Sequence, residues 1–460
     1  MGEQKAIMFD RKTLIKLIIP MVVEQLLSVM VGMADMIMVS GAGEEAVSGI
    51  SLVNQINVLL IMVFAAMASG GSVVVSQYLG SGDRKKSCIA ANQVMMITSL
   101  IAVVVMILAL ISNRFLLKLI FGTVDALVME NAVTYFYIIA ITFPFLAIYN
   151  AGSALFRVMG NSYISMITSA VMNLINIIGN YIFIFKFDMG VAGVAYASLI
   201  SRIVVAVFLL ALIRKESLPV HIDKYLRFGW NSDMLKKILG IGVPQCLENG
   251  MFQIGKLLTQ SLISSFGTSA IAANACGANV ELLADIPGSA MGMALVTIVG
   301  QCVGAGQYEQ ARGYTKKLIK VTYIFMLALN IVLFAIAGYI AGWYNLTDMG
   351  SYYAVQIIRY HSVCCVLIWP LAFTLANALR AAGDARFTLV SSTASMWIFR
   401  IGLAYVIGKY MGVGVLGVWI AMTIDWLVRA ILNVIRFKSG KWETKSVVKS
   451  ETAKVETAIS

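Results

Sequence analysis

Hydrophobic residues follow one another along this chain in long continuous runs that are separated by short polar connections. Each run is roughly 20 residues or longer, the length that an α-helix needs to cross the hydrocarbon core of a bilayer. Within each run, apolar residues are continuous, whereas apolar and polar residues alternate along each strand of a membrane β-barrel. The pattern predicts an all-α polytopic membrane protein with twelve transmembrane helices, at residues 14–40, 51–79, 89–112, 132–156, 163–185, 190–213, 238–265, 277–303, 318–343, 353–379, 387–408 and 414–436.

The second half of the chain repeats the first at an offset of 224 positions, which slips to 223 in one segment. The matched pairs are Pro20 with Pro244, Glu24 with Glu248, Ser76–Gly82 with Gly300–Gly306, Gly193 with Gly417, and Leu155–Asn161 with Ala378–Asp384. Six helices per copy is an even number, so the two repeats are predicted to be parallel, a plan that membrane transporters use for alternating access. Pro287 has no counterpart, so the second span of each copy should differ.

The repeat and the polar intervals predict five segments. These are a cytoplasmic N-terminus (1–13), an N-lobe of helices 1–6 (14–213), a cytoplasmic linker (214–237), a C-lobe of helices 7–12 (238–436) and a disordered cytoplasmic tail (437–460). The tail is rich in Lys, Glu, Ser and Thr and has no hydrophobic face, which is typical of disorder.

Charged residues make up only 13% of the chain, yet its net charge is +12. Lys and Arg are concentrated in alternate connections, which indicates membrane topology rather than nucleic-acid binding. The positive-inside rule then predicts a multi-pass protein of the cell membrane, in contact with membrane lipid, with both termini in the cytoplasm.

The positions of the cysteines and histidines in the sequence indicate neither disulfide bonds nor a metal site. The six cysteines lie in spans or beside their cytoplasmic ends, so no disulfide framework is expected. His221 and His361 are the only histidines, and we find no ligand at metal-binding spacing from them. The sequence therefore predicts no transition-metal site.

Ionisable and amide side chains inside the predicted spans are the functional candidates, because such groups are costly in a bilayer. Glu24 and Asp35 are eleven positions apart and return to almost the same face of the first helix. Asn173, Asn176 and Asn180 share one face of the fifth helix, either as part of a cation or proton site or as contacts between helices.

The C-lobe has its own candidates: Glu248, Lys256, Glu281 and Asp285. Lys256 lies deep in its span and is expected to pair with one of the three acids, as a static ion pair or as part of a binding or coupling site. Arg400, Asp425 and Arg429 are expected to pair structurally or to extend towards the membrane surface. Pro20 and Pro244 are candidate hinges.

The glycine-rich segments after the second span of each copy are predicted to be cytoplasmic turns. Gly300–Gly306 is similar to the Gly-Gln-x-x-Gly-Ala-Gly segment of MATE (multidrug and toxin extrusion) transporters of prokaryotic type. Pro20–Asp35 and Asn279–Pro287 also resemble that family in order and spacing, and the resemblance covers about residues 10–437.

The resemblance implies a V-shaped bundle of two six-helix lobes around a central cavity. It also implies export of organic cations and other amphipathic compounds in exchange for protons or sodium, with no cofactor beyond the ion gradient. By resemblance, Asp35 matches the acidic residue of the N-lobe cation site, and Asn176, Asn180 and Ser198 match its neighbours. The only metal expected is Na⁺ at Asp35, if sodium is the coupling ion.

Three positions depart from the family pattern. Residue 180 is Asn where many members have Asp, and Phe252 and Trp369 lie close to the positions of two C-lobe acids of sodium-coupled members. Coupling through Asp35 is therefore favoured, and the coupling ion stays open.

The function expected from these residues is that of a secondary antiporter, working as a monomer, rather than an enzyme. Ion binding at Asp35 would displace the substrate, while Glu24, Glu248, Glu281 and Asp285 would attract a cationic compound and Lys256 would lie among them. A flippase of lipid-linked saccharides, from a related two-lobe family, is the alternative. It would require a strongly cationic cavity, whereas these candidates are mostly acidic.

Overall fold

The computed structural model describes residues 7–40, 44–122, 125–222 and 229–448, without the side chains of residues 31, 33–37, 39, 40 and 44. The described part of the chain is helical, with no β-strand. Its helices are α1 (Arg11–Ser40), α2 (Glu44–Gly80), α3 (Arg84–Phe121), α4 (Ala126–Ile141), α5 (Phe143–Val158), α6 (Ser162–Asn180), α7 (Gly190–Ile213), α8 (Ser232–Ser264), α9 (Thr268–Ala284), α10 (Ile286–Gly304), α11 (Tyr308–Ala335), α12 (Ala337–Trp343), α13 (Asp348–Trp369), α14 (Leu375–Ala381), α15 (Ala385–Ser395) and α16 (Val415–Lys438).

Wider π-helical turns continue several of these helices. One follows α6 at Tyr181–Lys186, and another joins α13 to α14 at Pro370–Thr374. Two more, Met396–Gly402 and Ala404–Tyr410, extend α15. Such turns are rare in proteins and are frequent near functional sites.

The predicted membrane helices are present in the predicted order. Ten helical segments are long and apolar enough to cross a membrane, and α4 with α5, bent by 47° at their junction, make an eleventh. The remaining long helix is α8, whose 33 residues include Asp233, Glu248 and Lys256 and are therefore less apolar. The predicted all-α polytopic fold is confirmed.

The internal repeat is visible in the helix boundaries and in the turns that separate them. Gly82 and Gly306 follow the matched second spans and have φ angles of 80° and 69°. Gly160 and Gly383, at the other matched turn, have φ angles of 80° and 99°. Glycine adopts this left-handed region without the steric cost of a Cβ, so the same residue recurs at the same turns.

The second span differs between the two copies, as the unmatched proline predicts. In the first copy α2 is continuous from Glu44 to Gly80, whereas its counterpart is divided at Asp285 into α9 and α10. Pro287 lies in the first turn of α10, where its missing N–H costs least. The break places Asp285 at a helix junction inside the bundle.

The chain forms two compact units. The N-terminal unit comprises Ile15–Val75 and Asp83–Cys246, and the C-terminal unit comprises Met1–Leu14, Ser76–Gly82 and Leu247–Ser460. The boundary between them falls inside α1, α2 and α8 rather than at the predicted linker.

The first half of α8 belongs to the N-terminal unit because it packs closely on α2. A Cβ on Gly70 would come within 2.5 Å of the Cα of Gly242. The thiol of Cys246 donates to the backbone carbonyl of Val63 at 3.3 Å. Pro20 and Pro244 lie inside the continuous helices α1 and α8, and their role as hinges stays a prediction.

The segments predicted to be glycine-rich turns are largely helical, so that prediction is wrong for their first halves. Gln77 lies in α2, is fully buried and donates to the carbonyl of Ala381 at 2.8 Å. A Cβ on Gly80 would lie 2.0 Å from the carbonyl oxygen of Gln301, and one on Gly304 would lie 1.9 Å from that of Gln77. The recurring Gly-Gln pattern therefore forms a reciprocal helix crossing, and only the last glycines make turns.

Residues 439–448 also differ from the expected disordered tail. Lys441–Lys445 form a 3₁₀ turn, and the ring of Trp442 is buried and stacked on Phe437 at 5.5 Å. The backbone N–H of Val447 donates to the amide oxygen of Gln77 at 2.8 Å. Composition predicted disorder because it does not reveal that one tryptophan anchors the segment.

Candidate functional site

A hydrogen-bonded amide group lies in the N-terminal unit where α6 meets α7. The amide of Asn176 donates to the hydroxyl of Ser198 at 3.0 Å, and that of Asn180 donates to the amide oxygen of Asn176 at 3.3 Å. Asn180 is fully buried and Asn176 is nearly so. The structure thus brings together three of the four predicted ion-coupling residues. The fourth, Asp35, lies in α1, and its side chain is outside the described part of the structure.

Glu24, predicted as a substrate-attracting residue, is ion-paired inside the N-terminal unit. A guanidinium nitrogen of Arg157 lies 2.9 Å from one carboxylate oxygen, and the hydroxyl of Ser165 donates to the other at 2.9 Å. Glu24 is only 6% exposed. Its charge is compensated, which favours a structural role over recruitment of a cationic substrate.

Glu248 makes the corresponding pair in the C-terminal unit. Arg380 donates to a carboxylate oxygen of Glu248 at 2.9 Å and to the amide oxygen of Asn377 at 3.0 Å. Arg157 and Arg380 are matched by the repeat, as are Glu24 and Glu248, so both units contain the same bridge. Glu248 is therefore not available as the expected partner of Lys256.

A cavity of about 120 Å³ lies within the C-terminal unit, between α8, α9, α16 and the turn that follows α15. Its charged lining residues are Lys256, Glu281 and Arg400. The remaining lining residues combine amides with apolar side chains: Thr259, Gln260, Ile263, Asn274, Ala278, Val418, Trp419 and Met422. This mixture suits an amphipathic ligand better than a purely apolar one.

Three lining residues form an ordered polar chain along one wall of the cavity. The indole N–H of Trp419 donates to the amide oxygen of Asn274 at 3.0 Å. The amide nitrogen of Asn274 in turn donates to the amide oxygen of Gln260 at 2.9 Å. The chain fixes the orientation of the indole. A flat aromatic face is thereby held beside the charged residues.

Cationic side chains surround the ring of Phe252. The ammonium nitrogen of Lys256 lies 5.3 Å from the ring centroid, and the guanidinium carbons of Arg400 and Arg429 lie 4.9 Å and 6.0 Å from it. Distances in this range are typical of cation–π contacts. The aromatic residue thus partly stabilises a concentration of positive charge within the unit.

Acidic residues balance these cations. Asp425 is fully buried and pairs with Arg429 at 2.8 Å, which confirms their expected pairing. Glu281 is 9% exposed and interacts electrostatically with Lys256, His361 and Arg400. Lys256 interacts electrostatically with both Glu281 and Asp285, and of these two acids only Glu281 lines the cavity with it. The site is mixed in charge, which corrects the expectation of a mostly acidic cavity.

Asp285 contacts residues that sequence reasoning missed. The thiol of Cys365 donates to a carboxylate oxygen of Asp285 at 3.3 Å, and His361 lies one turn before Cys365 on α13. Asp285, His361 and Cys365 bring one ligand atom each to within 4.8 Å of one another. The four-residue spacing of His361 and Cys365 places them on one helical face, so the sequence prediction that no ligand lies at metal-binding spacing from His361 is wrong.

The fold and these buried polar groups define a class of protein. A repeated set of membrane helices, with charged and amide residues buried among them, is the plan of many secondary transporters.

Comparison with known proteins identifies the family. The family model MatE matches residues 20–182 and 244–406, one match in each repeat. A probable multidrug resistance protein NorM from Thermotoga maritima is 30% identical over 463 residues, covering 96% of this chain and 96% of the relative. The chain belongs to the MatE family of multidrug efflux transporters and is a multi-pass membrane protein.

Solved structures agree on the fold. A multidrug resistance MATE family transporter of the MOP superfamily, in an outward-facing conformation, matches with a TM-score of 0.88 at 22% identity. That match covers 95% of this chain and 99% of the other. A MOP superfamily transporter from Pyrococcus furiosus, described as having a binding pocket of reverse polarity that suggests a different function, matches with a TM-score of 0.87 at 22% identity. It covers 93% of this chain and 95% of the other.

Proposed function

We propose that this protein is a secondary antiporter of the cell membrane that exports amphipathic organic compounds, organic cations above all, in exchange for protons or sodium. The observation that carries the proposal is the cavity of the C-terminal unit. It places the buried carboxylate of Glu281 beside Trp419 and Met422, so that one charged group and an apolar wall face the same space. An organic cation with an aromatic body would match both.

Lys256 has a defined part in this proposal. It lines the same cavity as Glu281 and interacts electrostatically with it, so in this proposal its ammonium compensates part of the carboxylate's charge. An entering organic cation would take its place as the partner of Glu281. A buried charge that exchanges partners avoids the cost of standing alone in the bilayer.

Ion coupling is assigned to the N-terminal unit. Asp35 would bind the proton or sodium ion, and Asn176, Asn180 and Ser198, already linked by hydrogen bonds, would supply neutral oxygen atoms beside it. One charge that moves through about 150 mV supplies roughly 3.5 kcal/mol, enough to drive a substrate gradient of a few hundredfold. No cofactor is required for this cycle, and a monomer with both termini in the cytoplasm is sufficient for it.

The alternative is transport of a lipid-linked saccharide. The cations around Phe252 favour it, because Lys256 and Arg400 also line the cavity and would suit a pyrophosphate group. Glu281 in the same wall opposes such an anion. The buried pairing of Asp425 with Arg429 further lowers the net positive charge of the site.

Efflux from cells tests the proposed function. Cells that lack their own multidrug pumps are loaded with a fluorescent organic cation, and its loss is followed with the chain, with Asp35→Asn and with no transporter. We expect rapid efflux with the chain, abolished by dissipating the ion gradients. Asp35→Asn should lose efflux but retain substrate binding, whereas Asp188→Asn, on an exposed loop, should keep both. Efflux equal to that of cells without the transporter would contradict the proposal.

A further inference from the structure

A cluster of three different ligand types lies in the C-terminal unit beside the cavity. Asp285 occupies the junction of α9 and α10, and His361 and Cys365 are one turn apart on α13. Their ligand atoms lie within 4.8 Å of one another, and the Cys365 sulfur is 3.3 Å from a carboxylate oxygen of Asp285. Donor atoms at this separation can share one metal ion after a small adjustment of the side chains.

His361 is the residue that points to a ligand. Its side chain is 1% exposed, and neither ring nitrogen has a hydrogen-bond partner among the described residues. Burial without a partner is costly for a polar group, so an unpaired buried imidazole requires an explanation. A bound metal ion would provide one.

The ring of His361 is also held in place. Trp419 and Trp426 pack against it in edge-to-face geometry, with ring centroids 5.5 Å and 5.6 Å away. Trp426 itself is buried. Aromatic packing on two sides restricts rotation of the imidazole, which lowers the entropy that metal binding would cost.

The donor set selects the class of metal. A thiolate, an imidazole and a carboxylate together match zinc and similar divalent transition metals, whereas sodium, magnesium and calcium prefer oxygen ligands alone. Three protein ligands leave one position of a tetrahedral site for water or another carboxylate. Glu281 lies one turn before Asp285 and interacts electrostatically with His361.

We propose that Asp285, His361 and Cys365 form a binding site for a divalent transition-metal ion of the zinc class. On binding, the Cys365 thiol releases its proton to solvent, and its sulfur, an imidazole nitrogen and a carboxylate oxygen coordinate the ion. The site joins α13 to the break between α9 and α10. It is independent of Asp35 and of the proposed antiport, which can hold whether or not a metal binds.

Cobalt is the probe, because a thiolate bound to Co²⁺ gives a charge-transfer absorption in the near ultraviolet that oxygen and nitrogen ligands do not. The full chain is purified in detergent without a polyhistidine tag and treated with a chelator. Co²⁺ is then titrated, and Zn²⁺ is added to displace it. We expect one tightly bound Co²⁺ per chain with the thiolate band, and loss of that band on addition of Zn²⁺.

Matched variants locate the site. Cys365→Ser should lose the thiolate band and bind Co²⁺ at least about 100-fold more weakly, and His361→Gln and Asp285→Asn should weaken binding by about 10-fold or more. Cys364→Ser changes the adjacent cysteine and should leave the band unchanged. His221→Asn removes the other histidine and should also have no effect. His221 lies outside the membrane-spanning helices, with its Nδ1 atom 3.8 Å from the sulfur of Cys88.

X-ray absorption at the zinc edge gives a second readout that does not depend on the affinity of a variant. The wild-type chain loaded with Zn²⁺ should show a sulfur ligand at about 2.3 Å. A zinc environment of nitrogen and oxygen alone would overturn the proposal. So would failure to bind either metal, or a thiolate band that persists in Cys365→Ser and disappears in Cys364→Ser or His221→Asn.

Discussion

Arg157 and Glu24 form an ion pair at 2.9 Å between α5 and α1, and Arg380 and Glu248 repeat it at 2.9 Å in the other unit. The two pairs are mostly buried and occupy positions matched by the repeat. Ion pairs of this kind are costly to break, because the remaining charge stays buried without its partner. The two bridges therefore hold α1, the helix that carries Asp35, and α8, the helix that carries Lys256, against their neighbours.

Glu24→Gln should destabilise the protein by about 3 kcal/mol, because it leaves the Arg157 charge without its carboxylate. The double variant Glu24→Gln with Arg157→Gln should lose less than the sum of the two single variants. Unfolding of the purified protein in detergent measures all three, and Glu248 with Arg380 gives the matched cycle. If Glu24→Gln unfolds like the wild type, the bridge does not stabilise the fold.

Substitution of Lys256 distinguishes cationic from anionic substrates. Lys256→Met removes the internal competitor for Glu281 and should raise the affinity for an organic cation about 10-fold, while Glu281→Gln should lower it by a similar factor. Calorimetric titration with the same cation used in efflux measures both. Lys409→Met changes an exposed lysine and is the control. Weaker cation binding by Lys256→Met would contradict the exchange of partners and favour an anionic ligand.

The reciprocal crossing of Gly80 and Gly304 should tolerate no side chain. Gly80→Ala would place its Cβ 2.0 Å from the carbonyl oxygen of Gln301, so the helices must separate, at a cost of about 2 kcal/mol or more. Gly313→Ala on α11 is the control, since a Cβ there meets no atom of the described residues within 4 Å. Thermal unfolding and the yield of monodisperse protein compare the two. Equal stability of both variants would show that the close crossing is not required.

Trp442 should anchor the segment after α16. Its indole N–H donates to the carbonyl of Phe437 at 3.0 Å, and Glu443 beside it pairs with Arg312 at 2.7 Å. Trp442→Ala should cost about 3 kcal/mol, as expected for loss of a buried tryptophan. A chain that ends at Val448 keeps every contact described for this segment and is the matched control. Equal unfolding of Trp442→Ala and that control would contradict the anchoring role.

The fold could be predicted largely from sequence because the two patterns that define it, the apolar runs and the internal repeat, are local or regular features of the sequence. Continuous apolar runs reveal membrane helices, and the fixed offset from Glu24 to Glu248 reveals the repeat. Even the break at Asp285 follows from an unmatched proline. The burial of Gln77 could not be predicted, because an amide between glycines resembles a loop until its partners, Ala381 and Val447, are known.

The site was only partly predictable, because its pairs join distant helices. Asn176, Asn180 and Ser198 were predicted together and do contact one another. The sequence predicts a substrate role for Glu24 because it does not show which helix faces that residue, although both repeats contain a matched Glu and Arg. The same limit separates His361 and Cys365 from Asp285, which is about 80 residues away along the chain and meets them only after folding.

The most direct test of antiport is uptake of a fluorescent organic cation into proteoliposomes that contain the purified chain. Separate samples have a higher proton concentration inside, a higher sodium concentration inside, or neither gradient. We predict uptake driven by only one of the two gradients and abolished by Asp35→Asn. Uptake under either gradient no faster than without a gradient, with fluorescent lipid-linked saccharides crossing the same membranes, would contradict the antiporter and establish the flippase alternative.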